Sequence, residues 1–381
     1  MTNNKSSNSS SRTWFTGLRR LHLTMGSLAV VMLLFTATTG AILAFEFEIE
    51  ALVNPGLWEV TPQQKTEPIQ PILNRVDQKF PDETPVSVTR YRDPTKPLLI
   101  FTKDEVERSS EVFVNPYTGE IIDRRGYYTN FFGWVERLHR EMWVGETGRW
   151  FPAISAMLIL ILIPTGIYLW WPRSSRTSII DHLIPRWTGN WKRFLYDCHR
   201  IGGLYLSIFL VLIATTGLMM SAAVNWPRQV VYFALDGGPP ETPSYVNYQA
   251  DPSETNGETV AIDQILKTVD QKAKQPIVQH VLLDSRGQGI RWILNHRTTF
   301  QRDNFFFDKY TGELIEAIYQ EDRTQAQKVL QVTREIHTGT GMGLPGQAIA
   351  FVAALALPFM GVSGLFIWFN RNQIVKNIFK G

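Results

Sequence analysis

Apolar and polar positions along the chain follow two different rhythms. Four stretches, 22–45, 149–172, 199–223 and 346–369, are apolar almost throughout, and each reaches the roughly 20 residues that a helix needs to cross a bilayer. The segments 46–148 and 224–345 alternate instead. In them, 70–80 and 260–273 place apolar residues at helical spacing, while 87–93, 96–103, 277–284 and 289–296 alternate as strands do. Each then holds a strand–turn–strand, 111–123 and 305–317, turning on Tyr117-Thr118-Gly119-Glu120 and Tyr310-Thr311-Gly312-Glu313. The pattern predicts a four-helix transmembrane bundle with two α+β units, each a helix followed by an antiparallel sheet. The Ser/Asn-rich residues 1–13 read as a disordered tail. The first apolar run reads as an uncleaved anchor, too long for a signal peptide and without a clear small-residue cleavage site.

The pattern also repeats. His22, Gly26 and Gly40 share their His-x3-Gly-x13-Gly spacing with His199, Gly203 and Gly217, and both copies close on Ala-Thr-Thr-Gly. In a helix that spacing puts imidazole and glycines on one face, the ends about 27 Å apart. A second register relates His139, Gly145, Gly148, Thr165, Gly166, Trp170 and Arg173 to His337, Gly343, Gly346, Ser363, Gly364, Trp368 and Arg371. The chain therefore reads as a tandem duplication of helix, α+β unit and helix.

Charge adds orientation. Segment 1–21 carries Lys5, Arg12, Arg19 and Arg20 without an acid; 173–198 is basic despite Asp181 and Asp197; 370–381 carries Arg371, Lys376 and Lys380. The positive-inside rule puts all three in the cytoplasm, with both termini there and the large polar segments on the other side, the periplasm of a Gram-negative cell. The expected location is a bacterial inner membrane. Cys198 is the single cysteine, which excludes an intrachain disulfide and any Cys-based haem-attachment or zinc motif. No feature points to a nucleic-acid partner.

The duplication sorts the histidines. His22 matches His199 at the cytoplasmic side and His139 matches His337 at the periplasmic side, while His182, His280 and His296 have no counterpart and read as ordinary loop or sheet residues. Polar groups at membrane depth are costly and mark functional sites. A mononuclear zinc or copper site takes three or four protein ligands, but each face offers two histidines, no cysteine, and no carboxylate at helical spacing beside His22 or His199. Two imidazoles on opposed helices suit a six-coordinate haem, whose porphyrin supplies the other four nitrogens. Gly26, Gly203, Gly40 and Gly217 would let a flat macrocycle lie against backbone. Glycine also serves plain helix packing; the doubled pattern decides for haem. Arg19, Arg20, Lys192, Arg193 and Arg200 flank the cytoplasmic pair, and Arg137, Arg140 and Arg334 the periplasmic one, as partners for haem propionates or as topology anchors. Helix order, and with it the pairing of ligands, stays open: His22 could meet a ligand on the second or fourth helix.

The paired Tyr-Thr-Gly-Glu hairpins, each feeding a histidine and then an apolar helix, resemble the PepSY-associated transmembrane proteins over roughly residues 14–371. Within that family the chain is similar to the inner-membrane dihaem ferrisiderophore reductases. The resemblance implies two periplasmic PepSY-like units and two haem b groups, one ligated by His22 with His199 and the other by His139 with His337. It also implies an oxidoreductase that reduces Fe(III) in a ferric siderophore at the periplasmic face, releasing Fe(II) for iron transport. The cytoplasmic segments are too short for a flavin or nicotinamide domain, and no G-x-G-x-x-G stands between a strand and a helix. Electrons then come from a separate cytoplasmic reductase or from membrane quinol. Segment 178–191 is apolar and basic, a docking patch on the membrane surface or a plain connector. Tyr127, Tyr128, Phe131, Phe132, Trp134, Trp143 and Trp150 form a platform for a bulky chelate or an interfacial belt, with Arg124 and Arg125 as anion partners or solvated surface charges. Two rival functions remain: a quinol-linked cytochrome b serving another periplasmic acceptor, and a non-enzymatic PepSY interaction or peptidase-regulating protein.

Overall fold

The structure, a computed structural model, describes residues 4–106, 108–172, 179–185, 189–273, 278–285 and 287–370. Arg173, Arg371, Lys376 and Lys380 lie outside the described residues. Four helices are long and apolar enough to cross a membrane: Asn4–Leu43, Trp150–Trp170, Trp191–Met220 and Gly343–Phe369, taken here as the first to fourth long helices. The first starts at Asn4, within the tail expected to be disordered. Once the apolar part is helical, each added residue extends an existing ladder instead of nucleating one. The third starts well before the expected residue 199, because the Asn190 side chain accepts from the backbone N–H of Lys192 at 3.1 Å and Arg193 at 3.4 Å, forming an N-cap.

The chain divides into two compact units, each described by itself. The helical unit draws on Met1–Ala44, Val135–Arg228 and Thr333–Gly381. In it the first and third long helices each pack against the second and fourth, so the first and third stand opposite one another. Ala29, Leu33 and Ala37 of the first, Ala153, Ala156 and Ile159 of the second, Leu210 and Ala214 of the third and Ala353 and Leu357 of the fourth fill its core. Alanine lets helix axes approach closely, as in other bundles built for lipid.

The second unit comprises Phe45–Trp134 and Gln229–Val332. Its strands are β1 (Glu83–Arg90), β2 (Leu98–Asp104), β3 (Ser109–Val114), β4 (Ile121–Gly126), β5 (Val278–Ser285), β6 (Ile290–Thr298), β7 (Gln301–Asp308) and β8 (Leu314–Ile318). They form one antiparallel sheet in the order β4-β3-β2-β1-β5-β6-β7-β8. The sequence reading keeps 46–148 and 224–345 apart as two units, but the structure joins their strands where β1 pairs with β5, Val88 opposite Val281. Edge pairing explains the merger. Either four-stranded half alone would leave a long unpaired edge at β1 or β5, and pairing them removes both edges.

Sheet alternation turns Val88, Ile100, Val112 and Val114 of one half, with Val281, Ile293, Phe305 and Phe307 of the other, toward two helices, Ile69–Lys79 and Ile262–Lys272. Those helices bury Ile69, Ile72, Leu73 and Val76, and Ile262, Ile265, Leu266 and Val269, at the spacing of an amphipathic stripe. They also cap each other. The Asp263 carboxylate accepts from Ile69 N and Gln70 N, both at 2.8 Å, while Gln70 Oε1 accepts from Ile262 N at 3.2 Å. At the hairpin turns Gly119 and Gly312 adopt φ of +65° and +73°, which favours glycine.

Replacing Asp263 by Ala removes the acceptor for two first-turn amides and is expected to cost about 1–2 kcal/mol of local stability. Hydrogen exchange of the 69–79 amides in the full-length protein should accelerate; unchanged exchange would show that the cap contributes nothing.

Candidate functional site

All four paired histidines fall in the helical unit, and each lays its ring on a Thr-Gly or Ser-Gly dipeptide of a long helix. His139, in the helix Phe131–Glu141, has Nδ1 2.8 Å from the Thr36 carbonyl oxygen and 3.1 Å from Thr39 Oγ1. His337, in Thr333–Thr338, has Nδ1 3.0 Å from the Ile213 carbonyl oxygen and 3.1 Å from Thr216 Oγ1. On the first and third long helices, His22 Nδ1 lies 2.8 Å from Thr165 Oγ1 and His199 Nδ1 lies 2.9 Å from Ser363 Oγ. A carbonyl only accepts, so the Nδ1 atoms of His139 and His337 carry the proton. Their Nε2 atoms are left with a lone pair, the ligand form of imidazole. Among the described residues no Nε2 of the four makes a hydrogen bond.

Distances give the pairing for one site. The rings of His139 and His337 stand 6.4 Å apart between centroids, tilted 51°. His22 lies within electrostatic reach of His199. Burial pushes the His337 imidazole down to about 4, the neighbouring His139 adding to the shift and the Ile213 carbonyl opposing it. Burial likewise lowers His139, opposed by the Thr36 carbonyl and helped by Arg140. Both rings are therefore neutral near pH 7. Among the described residues no group of three or more His, Cys, Asp and Glu side chains comes together as a metal site.

The glycines differ in what stands beside them. A Cβ on Gly40 would stand 3.0 Å from His139 Cε1, and one on Gly217 2.9 Å from His337 Cε1. Gly166 and Gly364 receive His22 and His199 in the same way, at 3.2 and 3.1 Å. The space at Gly40 and Gly217 receives an imidazole edge. At Gly26 and Gly203 a Cβ would meet only the side-chain ends of Leu162, at 3.7 Å, and Met360, at 3.0 Å. Thr36, Thr39, Thr165, Thr216, Ser363, Gly166 and Gly364 are the residues that sequence reasoning left without a role. The signal was present in the two Ala-Thr-Thr-Gly endings and in the alignment of Thr165-Gly166 with Ser363-Gly364.

The cations divide. Arg19 and Arg20 are exposed. Arg140 pairs with Glu136 at 3.0 Å and is 63% exposed, and Arg137 pairs with Glu141 at 2.9 Å while lying 4.7 Å over the Trp143 ring. Arg193 pairs with Asp197, and Lys192 donates to Asn370 at 3.3 Å. Arg200 differs. Its guanidinium lies 5.9 Å from the Tyr196 ring, and its buried Nε has no hydrogen-bond partner among the described residues. Arg124 and Arg125 are committed within the sheet unit. Arg124 pairs with Glu83, and Arg125 bridges Glu50 at 2.9 Å and Glu111 at 2.8 Å. Burial works against the Arg125 charge, but Glu111 and Glu50 outweigh it and raise its pKa. These two arginines are thus structural ion pairs instead of anion receptors. Of the aromatics, Phe132 is buried, while Phe131, Trp134, Trp143 and Trp150 are exposed. Of the connector, residues 179–185 and 189–191 are described. The His182 and Leu183 carbonyls accept from Trp170 Nε1 at 3.1 Å and Tyr205 OH at 3.0 Å, with Ile180 and Ile184 exposed.

In a helix, glycine to alanine normally gains about 0.5–1 kcal/mol. Gly26→Ala should follow that trend, and Gly40→Ala and Gly217→Ala should reverse it, because the imidazole must leave its hydroxyl and carbonyl partners. Thermal unfolding of the three variants in detergent checks this; a rise in all three would show that the rings are not held as described.

Comparison with curated proteins finds no match. The family model of the PepSY-associated TM region matches residues 19–371, a span that includes all four long helices from Arg19 onward, the eight strands and all four seated histidines. The chain belongs to the PepSY-associated TM family.

Proposed function

We propose that the protein is an inner-membrane ferric-siderophore reductase that carries electrons across the bilayer to Fe(III) at the periplasmic face. The observation that carries the reading is the His139–His337 pair: two neutral rings anchored at Nδ1, 6.4 Å apart. Two imidazoles that would share one iron, each with a nitrogen about 2 Å from it, need a ring spacing of this order. The donor set fits a haem and not a bare metal ion, since two imidazoles are too few for a mononuclear zinc site.

His139 and His337 would hold one haem b, and His22 and His199 the other. Bound haems supply one-electron chemistry. The chain's own part is to keep four imidazoles neutral and aimed, to exclude water through the apolar core, and to leave Arg200 for a propionate. Held by these four histidines, the haems would supply outer-sphere one-electron transfer to the acceptor. Basic residues Arg19, Arg20, Lys192 and Arg193 at one end of the bundle support cytoplasmic termini, with the sheet unit in the periplasm. The matched seats at offset positions in the two halves support a tandem duplication. Electrons enter from a cytoplasmic reductase or from quinol.

Anaerobic full-length protein reduced with dithionite should reoxidise on adding a ferric siderophore, with Fe(II) trapped by a ferrous chelator. His337→Ala should slow this at least tenfold. A visible spectrum that stays reduced would rule out the siderophore reading.

A further inference from the structure

The four hydroxyls beside the imidazoles share a feature that plain helix packing does not require. Each points its own proton back into its helix: Thr39 Oγ1 donates to Phe35 O at 2.7 Å, Thr165 Oγ1 to Ile161 O at 2.9 Å, Thr216 Oγ1 to Leu212 O at 2.6 Å and Ser363 Oγ to Met360 O at 3.1 Å. A hydroxyl has one proton and two lone pairs. With the proton spent on the helix, what faces the imidazole is a lone pair. The nitrogen opposite must then be the donor, so Nδ1 carries hydrogen in all four rings, including His22 and His199. At His139 and His337 that single N–H is shared between the hydroxyl and a backbone carbonyl, a three-centre bond.

Serine and threonine often bond back to their helix with no further role. Here the same hydroxyl–glycine pair recurs on all four long helices, and each time an imidazole edge fills the space beside the glycine. We propose that Thr39, Thr165, Thr216 and Ser363 are positioning residues that fix the imidazole tautomer and set how strongly each Nε2 donates to iron. The proposal rests on the haem reading above. An N–H that donates to oxygen pushes electron density into the ring and makes the far nitrogen a stronger ligand. A stronger nitrogen donor favours ferric over ferrous iron, so each hydroxyl holds the potential of its haem down. Thr39 and Thr216 act on one haem, Thr165 and Ser363 on the other.

The test is an anaerobic spectroelectrochemical titration of full-length protein in detergent, with haem content measured on the same samples. Thr39→Val and Thr216→Val should keep the haem and shift one midpoint upward. Thr165→Val and Ser363→Ala should shift the other. Thr39→Ser, Thr165→Ser, Thr216→Ser and Ser363→Thr, which keep the hydroxyl, should restore wild-type behaviour. If a valine variant instead loses one haem, recovery in the serine variant supports the positioning role, and failure to recover overturns it. Full haem content with wild-type midpoints in all four hydroxyl-deleted variants overturns this proposal alone, while wild-type protein without haem overturns the haem reading beneath it.

Discussion

A buried imidazole has two nitrogens with opposite needs, and much of the helical unit serves that constraint. One nitrogen must be hydrogen-bonded, because an unmet polar group in an apolar interior costs about 1–3 kcal/mol. The other must be left bare if it is to bind a metal. The bundle meets both demands with one device used four times: a hydroxyl faces Nδ1, joined at His139 and His337 by a helical carbonyl, and a glycine one residue on lets the ring edge approach backbone. Burial then keeps His139 and His337 neutral, with the Arg140 charge adding to the effect at His139. A carboxylate partner would have stabilised the protonated ring instead.

The sheet unit solves a different problem, that of joining two similar halves. Its sheet is continuous because β1 and β5 cover each other's edges, and its two helices exchange caps through Asp263 and Gln70. Neither half is self-sufficient at those points. The Glu50–Arg125–Glu111 bridge adds a buried charge network on the first half, where removal of one partner would leave uncompensated charge.

Hydropathy located the four long helices, and period-two alternation located the strands, because both signals are local. Spacing alone picked out His22, His199, His139 and His337. What stayed hidden was non-local. Nothing in 46–148 or 224–345 says that β1 will pair with β5, since an edge strand reads like any other. Gly40 and Gly217 were found, but an empty Cβ position does not say that an imidazole edge stands beside it. Thr39 and Thr216 stood in plain view in a repeated tetrad, yet their meaning depends on rings distant in sequence by 100 and 121 positions. Arg124 and Arg125 read as free cations until Glu83, Glu50 and Glu111 were brought beside them.

The central claim is that the two histidine pairs hold two haems. It is tested most directly by a pyridine-haemochrome assay and visible spectrum on the purified full-length protein. The account predicts about two haem b per chain, low-spin in both oxidation states, as two bis-imidazole sites require. A colourless protein, or one with a high-spin haem, would contradict it.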